Sequence, residues 1–203
     1  DGHRAAVRTF RGPGWYRTGR VGPRGRTKTG MRRVMKVAIL GAESSGKSTL
    51  APALAAHYGT LWVPEYLREF VATECRVPRE EDQYGIARVQ REREDAAAPG
   101  ASRFLFCDTT PLMTAVYSQW YWGRILDAQL ALLADRDDYA FTLITAPDGP
   151  WEADGLQRDS EQVRQSVHEL LLAMLGERAI AYVLLTGSLQ QRMLQASRIL
   201  DSA

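Results

Sequence analysis

Residues 41–50 read GAESSGKSTL, and this stretch decides the fold of the chain. Its two glycines, Lys47 and Ser48 match the pattern G-x-x-x-x-G-K-[ST], which lies between a strand and a helix. The apolar run VMKVAIL over 34–40 predicts that strand, and SGKSTLAPALAAHY over 45–58 predicts the helix. In such a loop the backbone N–H groups and the helix N-terminus face phosphate groups. The stretch therefore predicts a P-loop that binds a nucleotide.

The rest of the chain alternates between apolar runs and segments with helical spacing. Further predicted strands are 60–66, 103–108, 139–145 and 179–186. Further predicted helices are 81–97, 160–176 and 188–200, and the stretch 111–137 predicts more than one helix. Strands separated by helices indicate a parallel sheet that is covered on both faces. The sequence therefore predicts an α/β fold.

Length, charge and cysteine content narrow the class of protein. The 203 residues suit one domain with a sizeable core, and a net charge of +2 is too small to indicate nucleic acid as the main partner. No apolar run is long enough to span a membrane. Cys75 and Cys107 lack the spacing of metal ligands, and the three histidines are scattered along the chain. We therefore expect neither a zinc site nor a membrane partner, and a cytoplasmic location.

Residues 1–30 differ from the remainder. They hold seven arginines, Lys28 and seven glycines but a single acidic residue, Asp1. Because so little apolar material cannot form a core, we predict that residues 1–30 are a disordered basic extension. One P-loop domain is predicted over 31–203. Met31 or Met35 is the expected start of the natural protein.

This loop serves GTPases, motor ATPases and small-molecule kinases alike, so other features of the chain must choose among these classes. A GTPase normally reads guanine with Asn-Lys-x-Asp, and this chain contains no asparagine. A motor or AAA-type ATPase usually has a longer domain, a sensor region and an acidic pair after the third strand. Here that position reads CDTT, at 107–110. A compact kinase is therefore favoured.

Two acidic positions follow predicted strands, where ligands of parallel α/β sheets bind. Asp108 closes the third strand and would hold Mg²⁺ or orient the acceptor; alternatively it caps the next helix, as Thr109 or Thr110 also could. PEYLREF at 64–70 follows the second strand. Its carboxylates would accept a hydroxyl proton or bind a ribose diol, and its arginine would approach the transferred phosphate. The alternative is that the charged residues of this segment only form ion pairs on the protein surface.

The predicted loop over 146–164 is polar yet contains Trp151. An indole in a polar loop suits stacking on a base, although it would equally anchor the loop to the body of the protein. Arg158 and Arg164 are candidates for a lid that closes over phosphates. The aromatic run at 120–122 is interpreted as core rather than as part of a pocket.

Four segments together, GAESSGKSTL, PEYLREF, FCDTT and PWEADGLQRDS, resemble the nicotinamide riboside kinase domain of NadR-type proteins. The resemblance extends from about residue 35 to residue 201. It implies a P-loop NTPase three-layer sandwich of the P-loop kinase type, with a parallel five-stranded sheet. It also implies ATP and Mg²⁺, and transfer of the γ-phosphate to the 5′-hydroxyl of nicotinamide riboside in NAD salvage.

Carried over by position, the resemblance also assigns roles to residues. Lys47 would be catalytic, and Glu65 or Asp108 would be the base, a choice that the sequence leaves open. The ATP site would comprise Gly41, Glu43, Ser44, Ser45, Gly46, Lys47, Ser48, Thr49, Arg158, Gly187 and Arg192. The riboside site would comprise Glu65, Arg68, Asp108, Trp151 and Asp154, and the metal site Ser48 and Asp108.

The chain departs from the family pattern in two places. Larger NadR proteins also carry an adenylyltransferase with an H-x-G-H type motif, which nothing here resembles, so a second activity is not expected. The arginine that follows D-G-L in the family is displaced here, as Gln157-Arg158. Two alternatives stay open: a kinase for another nucleoside or small metabolite, and a regulatory module that binds ATP without fast turnover. The partner is expected to be a small molecule, and a homo-oligomer is left open.

Overall fold

The computed structural model describes residues 34–123, 127–136, 138–150 and 160–203. The predicted extension at 1–30 and the predicted site residues Trp151, Asp154 and Arg158 lie outside these ranges. Among the helices described, none is both long and apolar enough to cross a membrane.

The described residues form a series of strands and helices that begins just before the P-loop. The strands are β1 (Met35–Leu40), β2 (Leu61–Val63), β3 (Phe104–Asp108), β4 (Phe141–Thr145) and β5 (Val183–Leu185). The helices are α1 (Lys47–Tyr58), α2 (Tyr66–Glu74), α3 (Gln83–Ala97), α4 (Pro111–Trp122), α5 (Ala128–Ala134), α6 (Glu161–Glu177) and α7 (Leu189–Leu200).

All five strands form one parallel sheet in the order β2-β3-β1-β4-β5. Strand β1 lies at its centre, and Ile39 pairs with Asp108 of β3 while Leu40 pairs with Ile144 of β4. The chain runs to β3 on one side of β1 and to β4 on the other, which opens a crevice at the carboxyl end of β1. The P-loop follows β1 directly and therefore lies in this crevice.

Helices cover both faces of the sheet, so the core has two halves. Val37 and Ile39 of β1 pack in one cluster with Leu50 and Leu54 of α1 and with residues of α7. Their neighbours Ala38 and Leu40 pack in the other cluster, with residues of α3, α4, α5 and α6. This alternation is the period of a strand that is buried on both faces. The predicted three-layer sandwich of the P-loop kinase type is confirmed.

Several boundaries differ from the predictions. The second strand was predicted over 60–66, yet β2 ends at Val63 and a helix, α2, begins at Tyr66. Pro64 explains the early end, because proline has no N–H to donate to the ladder. By contrast, more than one helix was predicted over 111–137, and the described part of this region contains α4 and α5; Gly123 ends α4 in a left-handed conformation with φ 70°.

Candidate active site

The P-loop needs glycine at its first position for steric reasons. Gly41 has φ 152°, and a Cβ atom there would lie 2.3 Å from Thr145 Oγ1 and 2.8 Å from the Thr145 carbonyl oxygen. Gly46, with φ 88°, precedes helix α1 in the left-handed region. Because β4 approaches the loop this closely, no other residue fits at position 41 without moving the backbone.

Short hydrogen bonds hold the loop against the ends of β1 and β4. Ser45 Oγ donates to the Ala42 carbonyl oxygen at 2.6 Å and lies 2.7 Å from Thr145 Oγ1. Lys47 Nζ donates to the same carbonyl oxygen at 3.0 Å. The lysine ammonium group is thereby folded back over the loop, which is where it would meet the phosphates of a nucleotide.

Two buried arginines donate hydrogen bonds to backbone carbonyl oxygens of the P-loop. Arg192 of α7 donates to the Ser45 carbonyl oxygen, to the Ala146 carbonyl oxygen at 2.9 Å and to the Asp148 carboxylate. Arg164 of α6 donates to the Ser44 carbonyl oxygen at 3.4 Å.

Arg164 also binds the carbonyl oxygens of Pro147, at 3.2 Å, and of Gly149, at 2.9 Å. It was predicted as part of a lid, and the structure instead places it as an anchor of the loops around the P-loop. Asp148 accepts from the Gly187 N–H at 2.6 Å, so Gly187 and Arg192 meet at this carboxylate. Direct contacts of these two residues with ATP stay a prediction.

Ser48 and Asp108 offer oxygen ligands to a metal ion. The Ser48 hydroxyl and Asp108 Oδ1 are both buried, and neither makes a hydrogen bond of good geometry in the described part of the chain, although the Ser48 hydroxyl lies close enough to Asp108 to lower its pKa. Burial raises the pKa of Asp108 to about 6, helped by the Glu65 carboxylate and opposed by Lys47. Among described residues no group of three or more His, Cys, Asp or Glu could hold a metal by itself. One hydroxyl and one carboxylate, completed by phosphate oxygens, is the donor set that suits Mg²⁺.

A cavity of about 340 Å³ opens beside the P-loop, between helices α2, α3 and α4. Its polar lining residues are Glu43, Lys47, Glu65, Arg68, Gln83, Gln90, Thr109 and Thr114. Its apolar and aromatic lining residues are Leu67, Val77, Pro78, Ile86, Met113, Tyr117, Tyr121 and Trp122. Both the volume and the mixture of apolar walls with a few polar groups suit a small-molecule ligand.

The start of helix α2 places a carboxylate at this cavity. Arg68 Nε donates to Glu65 Oε2 at 3.2 Å, so both predicted residues line the cavity as a pair. Glu69, by contrast, pairs with Arg93 of α3 at 2.7 and 2.8 Å. The Tyr66 N–H donates to Gln90 Oε1 at 2.8 Å, which fixes the orientation of this buried amide. Gln90 Nε2 has no partner among the described residues and is therefore a donor available to a ligand.

A second carboxylate reaches the cavity from within the P-loop. The Tyr117 hydroxyl of α4 donates to Glu43 Oε2 at 2.5 Å, while Glu43 Oε1 is buried without a hydrogen-bond partner in the described ranges. Burial and the adjacent Glu43 carboxylate raise the pKa of Tyr117 well above its ordinary value. The phenol therefore stays protonated and remains the donor.

The structure thus brings several predicted residues to one place and adds others. Glu43, Lys47, Glu65 and Arg68 line the cavity together, with Asp108 buried beside it. The aromatic run at 120–122 was interpreted as core, but Tyr121 and Trp122 line the cavity. Sequence reasoning missed further lining residues, since no motif marks them: Gln83, Gln90, Met113 and Tyr117.

Comparison with known proteins agrees with this architecture. The sequence profile of a family described as "AAA domain" matches residues 36–192. The trifunctional NAD biosynthesis/regulator protein NadR of Salmonella typhimurium is 36% identical over 157 residues, which cover 74% of this chain and 38% of that protein. NadR of Escherichia coli gives the same identity and coverage. The chain thus spans less than two-fifths of the length of these curated relatives.

Solved structures show the same fold. A NadR crystal structure in complex with NR has a TM-score of 0.73 at 21% identity, covering 83% of this chain and 51% of that one. Deoxyadenosine kinase from M. mycoides has a TM-score of 0.62 at 11% identity, covering 83% of this chain and all of that one. The predicted resemblance to NadR-type proteins is confirmed, and the expectation that the chain is not a motor ATPase stays a prediction. The chain belongs to the AAA-domain family of P-loop proteins, and its kinase-type core is of the NadR type.

Proposed function

We propose that this chain is an ATP-dependent kinase that phosphorylates the 5′-hydroxyl of nicotinamide riboside, giving nicotinamide mononucleotide for NAD salvage. The observation that carries the proposal is the composition of the cavity. The P-loop lysine, a carboxylate and several aromatic side chains all line it. A phosphate donor and a nucleoside acceptor would meet there. The NadR relatives, one of them solved with NR, support the choice of acceptor.

Different residues would have different roles in phosphoryl transfer. The backbone N–H groups of the loop and Lys47 would hold the phosphates of ATP and balance their charge. Ser48 and Asp108 would hold Mg²⁺, which stabilises the charge of the transferred phosphoryl group when it is bound. Arg164 and Arg192 would keep the loop in place through its carbonyl oxygens.

Glu65 is the group that we assign as the base. It lines the cavity, whereas Asp108 is only 1% exposed and lies beside Ser48 at the metal site. Glu65 would accept the proton of the 5′-hydroxyl as the hydroxyl oxygen bonds to the γ-phosphorus. The bond from the γ-phosphorus to the bridging oxygen breaks at the same time, and ADP leaves. Roles for Trp151, Asp154 and Arg158 stay predictions.

The test is ADP release by the full chain with ATP and Mg²⁺, against a panel of nucleosides that includes nicotinamide riboside. Selective turnover of that riboside, with the mononucleotide identified by mass, is expected. Selective turnover of another nucleoside would refute the acceptor but keep the kinase. ATP binding without any acceptor-dependent turnover would favour the regulatory module.

A matched pair of variants tests the base. Glu65→Gln is expected to lower kcat by about a hundredfold or more, because it removes the proton acceptor. Glu69→Gln, four residues further along, lies in the pair with Arg93 and serves as the control. Equal effects of the two substitutions would contradict the role of Glu65.

A further inference from the structure

We infer that the acceptor cavity selects a cationic ring, and that the Glu43 carboxylate and the aromatic side chains of α4 are the groups that read its charge. The inference rests on the proposed function. It names the feature of the riboside that the site recognises, namely the permanent positive charge of an N-ribosylated pyridinium.

The charges around the cavity leave one carboxylate without a counter-ion. Of the lining residues that carry a charge, Glu65 is paired with Arg68, and the Lys47 ammonium group donates to the Ala42 carbonyl oxygen of the P-loop. Glu43 forms no ion pair with any lysine or arginine of the described ranges. Within those ranges its carboxylate accepts from the neutral Tyr117 hydroxyl, and its Oε1 is buried and unpartnered. A carboxylate oxygen that is removed from water without a partner is unfavourable, so a cation bound beside Oε1 gains affinity.

Aromatic rings next to Glu43 favour the same kind of ligand. The rings of Tyr117 and Tyr121 are stacked with an interplanar angle of 18° and centroids 6.2 Å apart, and Trp122 lies against Tyr121. All three side chains line the cavity. The faces of aromatic rings are electron-rich, so they attract a cation and stack on a flat ring at once. A flat cation can stack on the aromatic rings and is also attracted by the Glu43 carboxylate, whereas a neutral base can only stack on the rings.

The cleanest probe of charge is a pair of ligands that differ in one atom. Nicotinamide riboside carries a ring nitrogen with a positive charge, and its neutral isostere 3-(β-D-ribofuranosyl)benzamide carries carbon at that position. Both would be measured with the full, unmodified chain, for kcat/KM and for the equilibrium Kd by calorimetry. We expect the cation to be preferred by about tenfold or more in both quantities.

Two variants locate the origin of that preference. Glu43→Gln keeps the shape and an acceptor for the Tyr117 hydroxyl but removes the charge, and is expected to bring the preference to within about threefold. Tyr117→Phe removes the hydroxyl while it keeps the ring and the Glu43 charge, and is expected to retain the preference. The KM for ATP reports separately on any disturbance of the P-loop by Glu43→Gln.

The outcomes separate this inference from the proposed function. Equal Kd values for the two ligands on the unmodified chain would overturn the inference even if both ligands were phosphorylated. A Glu43→Gln variant that keeps the full preference would overturn the role of Glu43. Failure to phosphorylate either ligand, with another nucleoside turned over, would refute the proposed function, and the two Kd values would still decide whether the cavity favours a cation.

Discussion

Replacing Asp108 by asparagine is expected to make the protein more stable while it removes turnover. Asp108 is buried, and its pKa stands at about 6 against an ordinary value of 3.8, chiefly because of burial. A pKa raised in the folded state favours folding when the carboxyl is protonated. This contribution is complete below about pH 4 and is lost as the pH rises through 6. At neutral pH the ionised carboxylate therefore opposes folding.

The magnitude is set by the same pKa. At about 1.4 kcal/mol per tenfold change in protonation equilibrium, the ionised Asp108 carboxylate costs the folded state about 3 kcal/mol at pH 7.5. Asparagine has nearly the same shape without the charge, but it keeps a polar amide to desolvate, so we expect a gain of about 1–3 kcal/mol. For a domain of this size, each kcal/mol corresponds to about 2–4 °C in Tm. Near pH 4.5 the difference should shrink.

The assay is thermal unfolding of the wild type and of Asp108→Asn at pH 7.5 and at pH 4.5, with turnover measured alongside. Turnover is expected to fall by about a hundredfold or more, because the variant would lose the proposed carboxylate ligand of Mg²⁺. Asp82→Asn is the control of opposite sign, since the hydrogen bonds from Arg76 lower the pKa of Asp82 and that variant should be destabilised. An Asp108→Asn protein that melts below the wild type at pH 7.5, or that keeps wild-type turnover, would refute the reasoning.

Four further substitutions test other parts of the site. Lys47→Ala is expected to lower kcat by about a hundredfold or more with cooperative unfolding retained, and substantial residual activity would count against the P-loop assignment. Gly41→Ala should destabilise the fold by more than 1 kcal/mol, roughly, because its Cβ would clash with the Thr145 carbonyl oxygen; an unchanged Tm would contradict this. Arg192→Met should raise the KM for ATP more than that for the nucleoside, because the loop loses an anchor, and the reverse order would point to a different role. Trp151→Ala should raise the KM for the riboside far more than the KM for ATP; equal changes would exclude stacking on the base.

Local patterns in the sequence were sufficient to predict the P-loop and the parallel sheet. The spacing of glycines, Lys47 and Ser48 fixes a backbone path that needs few partners, and buried parallel strands are recognisable as apolar runs. The boundary between β2 and α2 was harder, because Pro64 ends the ladder but is compatible with either a loop or a helix after it. The segment after Pro64 continues as helix α2, in which Glu65 precedes the first turn.

The sequence by itself determined the phosphate loop, the order of the five strands and of the helices other than α2, and the acidic positions that follow β2 and close β3. Only the tertiary structure decided the cavity, because its walls come from the P-loop and from three helices, and their mutual packing is not written in any local pattern. Glu43 meets Tyr117 across 74 residues, and Arg192 meets the Ser45 carbonyl oxygen across 147. Periodicity indicates which face of a helix is buried, but it does not indicate which side chains of another element that face will meet. Those contacts depend on how the helices pack around the sheet, and they decide which charges in the cavity are paired and which are left for a ligand.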